Sequence, residues 1–388
     1  MILGRIPGLA LDRTGVALFG VTALVATGRI LMPDVRAAID IPTMVLLFSL
    51  MVISAQFRLS GFYSHIVRRI GKADLSPRTL LALLIGVVGI LSAVLANDIV
   101  CLAVTPVLVE ACAHRNLNPV PYLLALACAA NVGSAATLIG NPQNILIGQV
   151  LKLSFGRYLL DALIPSVLGL GIVWLVIVRM TGDKWEAKVE LPRLEVQPFS
   201  LWQTSKGLVV IGGLIVMFLA APWPREIMAL AAAGIVLCSR QMRSREMLGL
   251  VDWQLLVLFM SLFIVNYAMS IWGNTGEINR FLLSRGIAPG DPVWLFGSSL
   301  VLSNLVSNVP AVMLLLPSAT QPHAGPILAL SSTLAGNLLI VGSIANIIVI
   351  DQAARLGIKI SWRDHARIGV PVAVLTLLLA AAWLWIIV

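Results

Sequence analysis

Long apolar segments separated by short polar ones recur along the whole chain. A segment of about 20 apolar residues can cross the roughly 30 Å hydrocarbon core of a bilayer as a helix. Seven segments are uninterrupted and predict simple crossings: Thr14–Met32, Ile41–Leu59, Tyr158–Met180, Ser205–Ala221, Arg225–Ser239, Trp253–Trp272 and Arg367–Val388. The pattern predicts an all-α polytopic membrane protein.

Four further segments are apolar at both ends but carry Asn, Ser, Thr, Gly or Pro near the middle. Two of them, about 78–114 and about 292–319, have room for two arms around a polar tip. We interpret them as re-entrant hairpins, which enter and leave the membrane on one side. The other two, about 122–151 and about 326–350, are interpreted as crossing helices broken at their centres.

These interrupted segments occur twice in the same order. Asn97 precedes Pro106 by nine residues, and Asn308 precedes Pro317 by nine. Gly140 and Asn144 recur as Gly342 and Asn346, 202 positions later. We therefore predict two repeats joined by a polar connection: a first repeat over 1–181, a cytoplasmic linker over 182–206, and a connecting helix with the second repeat over 207–388.

Composition and charge agree with a membrane protein. Hydrophobic residues make up 59% of the 388 residues and charged residues 12%, against about 25% charged in soluble domains. The net charge of +9 is explained by cytoplasmic loops, where Lys and Arg accumulate, so no nucleic-acid partner is expected.

The positions of the basic residues also predict the topology. With a cytoplasmic N-terminus, nine full crossings and two hairpins, 20 of the 27 Lys and Arg residues lie inside. This topology puts the two hairpins on opposite sides, so the repeats are inverted. We predict a multi-pass protein of the cell (inner or plasma) membrane with an external C-terminus.

Asp98, next to Asn97 at the first hairpin tip, is the acidic residue that this topology places near mid-membrane. A carboxylate at that depth is costly and is usually functional, although it could also cap the second hairpin arm. As a functional group it would accept a proton or help to bind a cation. The corresponding residue of the second repeat is Val309, so this chemistry would belong to one half of the protein.

Polar side chains at the breaks complete the predicted site. Broken helices expose N–H groups that bind anions and carbonyl groups that coordinate cations such as Na⁺. A Ser or Thr in a membrane helix often only bonds its neighbours, so packing remains the alternative for each residue. The predicted substrate- or ion-binding residues are Asn97, Asp98, Asn131, Thr137, Gly140, Asn141, Asn144, Ser307, Asn308, Thr333, Asn337, Gly342, Ser343 and Asn346.

These motifs resemble the ion transporter superfamily, which includes arsenite/antimonite permeases, divalent anion/sodium symporters, citrate carriers and some sodium/proton antiporters. The resemblance rests on Ala96-Asn97-Asp98, on Asn131-Val132-Gly133-Ser134 leading to Gly140-Asn141-Pro142-Gln143-Asn144, on Ser307-Asn308-Val309-Pro310, and on Gly336-Asn337 leading to Gly342–Asn346. It implies inverted repeats and an elevator-like movement, with site roles at the hairpin tips and the breaks. The Ser-Asn-Thr signature of dicarboxylate symporters is absent from both tips.

The resulting hypothesis is a secondary active transporter for a small oxyanion or its neutral acid, with arsenite or antimonite the best single guess. The alternatives are a sodium-coupled dicarboxylate or citrate transporter and a sodium/proton antiporter. The expected coupling ion is H⁺ at Asp98, or Na⁺ near Asn97 and Asn144. An arsenite permease would also imply an ATPase partner, and a homodimer is a further expectation.

Other functional classes find no support in the sequence. It has no Walker-type phosphate loop and no His, Asp or Glu cluster with metal-ligand spacing. No nucleophile stands beside a base, so we expect no cofactor, no resident metal and no enzyme activity.

Overall fold

The computed structural model describes residues 11–187, 198–273, 277, 280–281, 283–286 and 288–387. Within these ranges the regular structure is helical, without strands. The first half forms α1 (Arg13–Ala26), α2 (Met32–Ala38), α3 (Ile41–Leu59), α4 (Phe62–Lys72), α5 (Pro77–Val94), α6 (Asn97–His114), α7 (Pro119–Ser134), α8 (Pro142–Val150) and α9 (Phe155–Thr181). The second half forms α10 (Leu201–Ala220), α11 (Arg225–Leu237), α12 (Ser244–Leu248), α13 (Trp253–Ile271), α14 (Pro292–Val306), α15 (Asn308–Leu315), α16 (Ala324–Ala335), α17 (Ile344–Arg355) and α18 (Trp362–Ile387).

Among the described helices, each helix of the first half except α4 has an equivalent in the second half. Helices α3 and α13 both have 19 residues, and each follows an Asp whose carboxylate accepts a bond from the third backbone N–H of the helix. These caps, Asp40 and Asp252, are 212 positions apart, and the same distance relates α1 to α11 and α2 to α12. Helix α10 has no equivalent among the described residues of the first half, and it connects the two repeats. The center of the predicted linker, 188–197, lies outside the described residues.

The repeats are inverted. Helices α9 and α18, the last helix of each repeat, pack against each other. Trp383, near the end of α18, donates its Nε1–H to the carbonyl of Asp161, near the start of α9, at 2.7 Å. The two equivalent helices are therefore antiparallel, as a two-fold axis lying in the membrane plane requires.

Two predicted crossings are shorter than expected. Helix α1 has 14 residues and ends at Ala26, because Gly28 takes a positive φ of 67° and Pro33 then lies in the first turn of α2. Helix α11 has 13 residues rather than the predicted Arg225–Ser239. At 1.5 Å per residue neither spans about 30 Å. Among the described helices, α3, α5, α6, α9, α10, α13 and α18 are long and apolar enough to cross a membrane.

The interrupted segments form two helical hairpins and two broken helices. Helices α5 and α6 are joined by two residues, and α14 and α15 by Ser307 alone. The return arms differ, since Pro106 is accommodated inside α6 whereas Pro317 lies in the 3-10 turn that follows α15. Every residue of α16 and nearly every residue of α7 is buried. Protein therefore surrounds the broken helices, the condition under which irregular backbone is tolerated at membrane depth.

Candidate functional site

The two breaks meet at the center of the protein. The first break lies between α7 and α8, and the second between α16 and α17. Pro142 begins α8, because a proline lacks the N–H that continues a helix but suits its first turn. Each break therefore places the carboxyl end of one half-helix beside the amino end of the next.

The side-chain amide of Asn131 joins the two repeats. Its Nδ2 donates to Oδ1 of Asn337 at 2.8 Å and to Oδ1 of Asn346 at 3.1 Å. Its Oδ1 accepts a bond from the Ser343 hydroxyl at 2.8 Å. Asn131 lies on α7, whereas its three partners belong to the second break. A side chain of the first repeat is thus part of the second half of the site.

Thr333 makes the reciprocal connection from α16, 202 positions after Asn131. Its hydroxyl donates to Oδ1 of Asn144 at 3.3 Å. It accepts bonds from Nδ2 of Asn141 at 3.3 Å and from Nε2 of Gln143 at 3.2 Å. Each repeat therefore contributes one side chain to the break of the other repeat, across a pseudo-two-fold axis. The first repeat contributes the amide of Asn131 and the second contributes the hydroxyl of Thr333.

Asn144 and Asn346 hold their own breaks open in the same way. Nδ2 of Asn144 donates to the carbonyls of Ser134 (3.4 Å) and Thr137 (2.9 Å). Nδ2 of Asn346 donates to the carbonyls of Gly336 (2.7 Å) and Leu339 (3.2 Å). Each acceptor is 202 positions from its equivalent. These amides satisfy carbonyls that a continuous helix would have bonded.

Both hairpin tips contact the glycine of the break in their own repeat. The backbone N–H of Asn97 donates to the Gly140 carbonyl at 3.1 Å. In the amide orientation that its neighbours satisfy, Asn308 Nδ2 donates to the carbonyls of Gly342 (3.0 Å) and Ser332 (3.1 Å). Asn97 Oδ1 is buried without a hydrogen-bond partner among the described residues.

The remaining predicted residues differ in their surroundings. Asp98 is half-buried in the first turn of α6, next to Asn97. The hydroxyl of Thr137 donates to the Ala93 carbonyl at the end of α5, so it anchors the break to the hairpin rather than joining the central cluster. Ser307 is buried at the second tip with φ 82° and ψ 160°, a backbone region that only glycine adopts without strain.

The center of the site is electrically neutral. The cluster consists of buried amide and hydroxyl side chains: Asn131, Ser134, Asn141, Gln143, Asn144, Thr333, Asn337, Ser343 and Asn346. None of these carries a charge. Such groups both donate and accept hydrogen bonds, so the arrangement suits a small, hydroxyl-rich solute. The helix ends on either side add partial charges of both signs.

Tyr158 and His365 also contact the site, and neither was selected from the sequence. The Tyr158 hydroxyl donates to the Ala135 carbonyl at 2.8 Å and accepts from Asn144 at 3.1 Å. Nε2 of His365 lies 3.1 Å from the carbonyl of Asn337. Both are buried near the amino ends of long helices, where the sequence indicates only a segment boundary. Each stands four positions after a serine that caps its helix, Ser154 or Ser361, and this shared spacing could have identified both residues from the sequence.

Comparison with known proteins agrees with this architecture. The family model described as "CitMHS: Citrate transporter" matches residues 1–327. The chain belongs to this citrate transporter family. Family members are secondary transporters, and the family lies within the ion transporter superfamily that the motifs resemble.

Relatives of this citrate transporter family member match it over most of their own length. The "Silicon efflux transporter LSI3" of Oryza sativa subsp. japonica is 28% identical, over 95% of this chain and 92% of that protein. The "Inner membrane protein YbiR" of Escherichia coli (strain K12) is 30% identical, over 85% of this chain and 84% of that protein. The solved YdaH transporter of Alcanivorax borkumensis has the same fold, with a TM-score of 0.59 at 14% identity over 97% of this chain and 90% of that one.

Proposed function

We propose that this protein is a proton-coupled transporter of a small neutral oxyacid, or of its anion, and that arsenous or antimonous acid is the best single substrate. The observation that supports this proposal is the neutral central cluster. Arsenous acid is largely undissociated at neutral pH and carries only hydroxyl groups. Amide and hydroxyl side chains match each of these groups with a donor or an acceptor.

The relative that acts in silicon efflux supports the same substrate chemistry. Silicic acid, like arsenous acid, is a small neutral acid that carries several hydroxyl groups. A multiply charged anion would instead be expected to meet an Arg or Lys side chain, which binds carboxylate through charge-assisted hydrogen bonds. The described cluster has no such side chain.

Asp98 is the proposed proton carrier. It adjoins Asn97, whose N–H contacts the first break through Gly140, so its charge lies next to the mobile elements of an elevator-like cycle. Protonation would remove a charge that is costly to move through the membrane. Val309 occupies the equivalent tip, so one proton site per protomer is expected.

The test is arsenite flux into everted membrane vesicles energised by a proton gradient. The native protein should accumulate arsenite saturably, and Asp98→Asn should lose this accumulation. Asp40→Asn is the matched control: it makes the same chemical change at a helix cap, where Asn serves as well as Asp, and it should keep native flux. If arsenite accumulation stayed at the background level with all three proteins, arsenite would be refuted as the substrate. Equal flux in Asp98→Asn and native protein would refute the role of Asp98.

The family description favours sodium-coupled citrate or dicarboxylate transport as the second candidate. In that case the free Oδ1 of Asn97, the backbone carbonyls of the first break and the Asn144 region would hold Na⁺. Sodium-dependent citrate uptake that succinate competes for would support this candidate. An ATPase partner and a homodimer belong to the arsenite proposal, and purification with crosslinking tests them.

A further inference from the structure

The last helices of the two repeats begin in the same way but carry different functional groups. Helix α9 follows Ser154 and helix α18 follows Ser361, 207 positions later. Four residues after each Ser stand Tyr158 and His365, whose backbone N–H groups donate to the carbonyls of Ser154 (3.0 Å) and Ser361 (3.1 Å). Tyr158 and His365 are therefore equivalent residues of the two repeats.

Both side chains bond equivalent carbonyls of the two breaks. The Tyr158 hydroxyl donates to Ala135, and the His365 imidazole contacts the carbonyl of Asn337. Ala135 and Asn337 are 202 positions apart, each just after the carboxyl end of a half-helix. Because a carbonyl only accepts, Nε2 of His365 must carry the hydrogen, which leaves Nδ1 as the basic nitrogen.

Helix α18 packs closely against the second break beside the contact between His365 and Asn337. A Cβ at Gly369, one turn after His365, would overlap the Asn337 carbonyl oxygen and lie 2.8 Å from Nε2 of His365. Only glycine fits there. The imidazole is thus held against the break by the backbone of its own helix.

The imidazole is linked to the central cluster but not fully bonded. His365 is 1% exposed, and its Nδ1 has no hydrogen-bond partner among the described residues. The same is true of Nδ2 of Asn337, while Oδ1 of Asn337 accepts the bond from Asn131 at 2.8 Å. One residue therefore separates the imidazole from the amide that joins the two repeats.

No charged group among the described residues pairs with His365. Its own helix and the preceding turn carry Lys359, Arg363, Asp364 and Arg367, which are all exposed, and Asp364 is bonded to Ser361. Of the helices packed on α18, α7 and α16 carry no charge, and α9 carries Arg157, Asp161 and Arg179. A proton on Nδ1 would thus put a new positive charge at the carboxyl end of α16, whose dipole favours a cation.

The chemical difference between the equivalent residues is the ability to titrate. A tyrosine hydroxyl titrates near pH 10 in water, whereas an imidazole titrates near pH 6.5. Of these two equivalent residues, only His365 therefore carries a side chain that ordinarily changes charge in the physiological range. We propose that His365 is a positioning residue whose protonation sets the geometry of the second break through Asn337 and Asn131, and so makes transport depend on pH.

This proposal rests on the proposed proton-coupled transport only for its flux measurement. The first measurement needs no substrate: NMR of the full chain labelled with ¹⁵N-histidine, in lipid nanodiscs, from about pH 5 to 8.5. The chain has four histidines, and the His365 signals are assigned by their loss in His365→Gln. We expect Nε2–H at high pH and a change of the Nδ1 signal across this range. A His365 signal that stays constant would overturn the proposal.

The second measurement is the apparent melting temperature of the same preparations against pH. His365→Gln keeps an N–H donor without titrating, and His365→Tyr copies the first repeat. Both should lose the part of the pH dependence that native protein and the control His323→Gln share. If both variants follow the native curve, the proposal fails.

Flux is measured last, as the ratio of arsenite transport at about pH 6 and pH 8. Native protein and His323→Gln should change severalfold, and His365→Gln and His365→Tyr by much less. Absence of arsenite flux in all four proteins would refute the proposed substrate, while the NMR and melting results would still decide the role of His365. The proposed role of His365 would be overturned if both His365 variants showed the same ratio of transport at the two pH values as the native protein.

Discussion

Gly140 and Gly342 are equivalent in the sequence repeat, but the structure predicts that they tolerate alanine very differently. A Cβ at Gly140 would overlap the Ser134 carbonyl oxygen and lie 2.8 Å from that of Ser92. Both obstacles are backbone atoms of packed helices. A Cβ at Gly342 would lie 2.8 Å from Oδ1 of Asn304, which belongs to a side chain. The nearest backbone atom, the Gly336 carbonyl oxygen, would lie farther away, at 3.3 Å.

The magnitudes follow from what must move. Overpacking of a tight core costs about 1–3 kcal/mol, and at Gly140 the break or α5 must shift as a whole, so we expect about 3 kcal/mol or more for Gly140→Ala. At Gly342 a side chain can rotate, at the cost of its bonds, and we expect about 1 kcal/mol. Gly86 of α5 has open space where the methyl group of an alanine would lie, so Gly86→Ala should be neutral or stabilising by up to about 1 kcal/mol.

The assay is the apparent melting temperature in detergent, measured by size-exclusion chromatography with fluorescence detection. The expected order is Gly140→Ala lowest, Gly342→Ala intermediate, and Gly86→Ala at or above native protein. Arsenite flux should follow the same order, because the larger backbone shift expected at Gly140 also displaces the first hairpin tip, whose Asn97 N–H donates to the Gly140 carbonyl. Equal melting temperatures for Gly140→Ala and Gly342→Ala would refute the reasoning.

Three further tests concern individual features of the site. Ser307→Gly should raise the melting temperature by removing about 1–3 kcal/mol of backbone strain, whereas Ser303→Gly, inside α14, should lower it. A double-mutant cycle on Asn131→Ala and Asn346→Ala should give a coupling energy of about 0.6 kcal/mol or more; additive effects would contradict a bond between the repeats. Tyr158→Phe should cost about 1–3 kcal/mol, since it leaves a buried carbonyl unpaired, and unchanged stability would argue against that bond.

Much of the architecture followed from the sequence alone. Apolar segment length decides membrane crossing, so the class and the long helices were predictable. The repeat was visible because Gly140–Asn144 and Gly342–Asn346 keep their spacing, and the breaks were visible because Gly and Pro stand there together with several polar residues, a combination that disfavours a continuous helix. The end of α1 at Ala26 could not be predicted in this way. Hydropathy is averaged over many residues, whereas the turn after α1 depends on the backbone conformation of Gly28 alone.

Tertiary structure decided which polar groups meet. Asn131 and Thr333 are ordinary polar residues in apolar segments, and only the pseudo-two-fold packing of the repeats reveals that each bonds the break of the other half. The same packing directs the Thr137 hydroxyl to the Ala93 carbonyl rather than to the cluster, and it brings in His365, which hydropathy places at a segment end. Contacts between residues about 200 positions apart depend on how whole helices pack, and local sequence patterns carry no record of that packing.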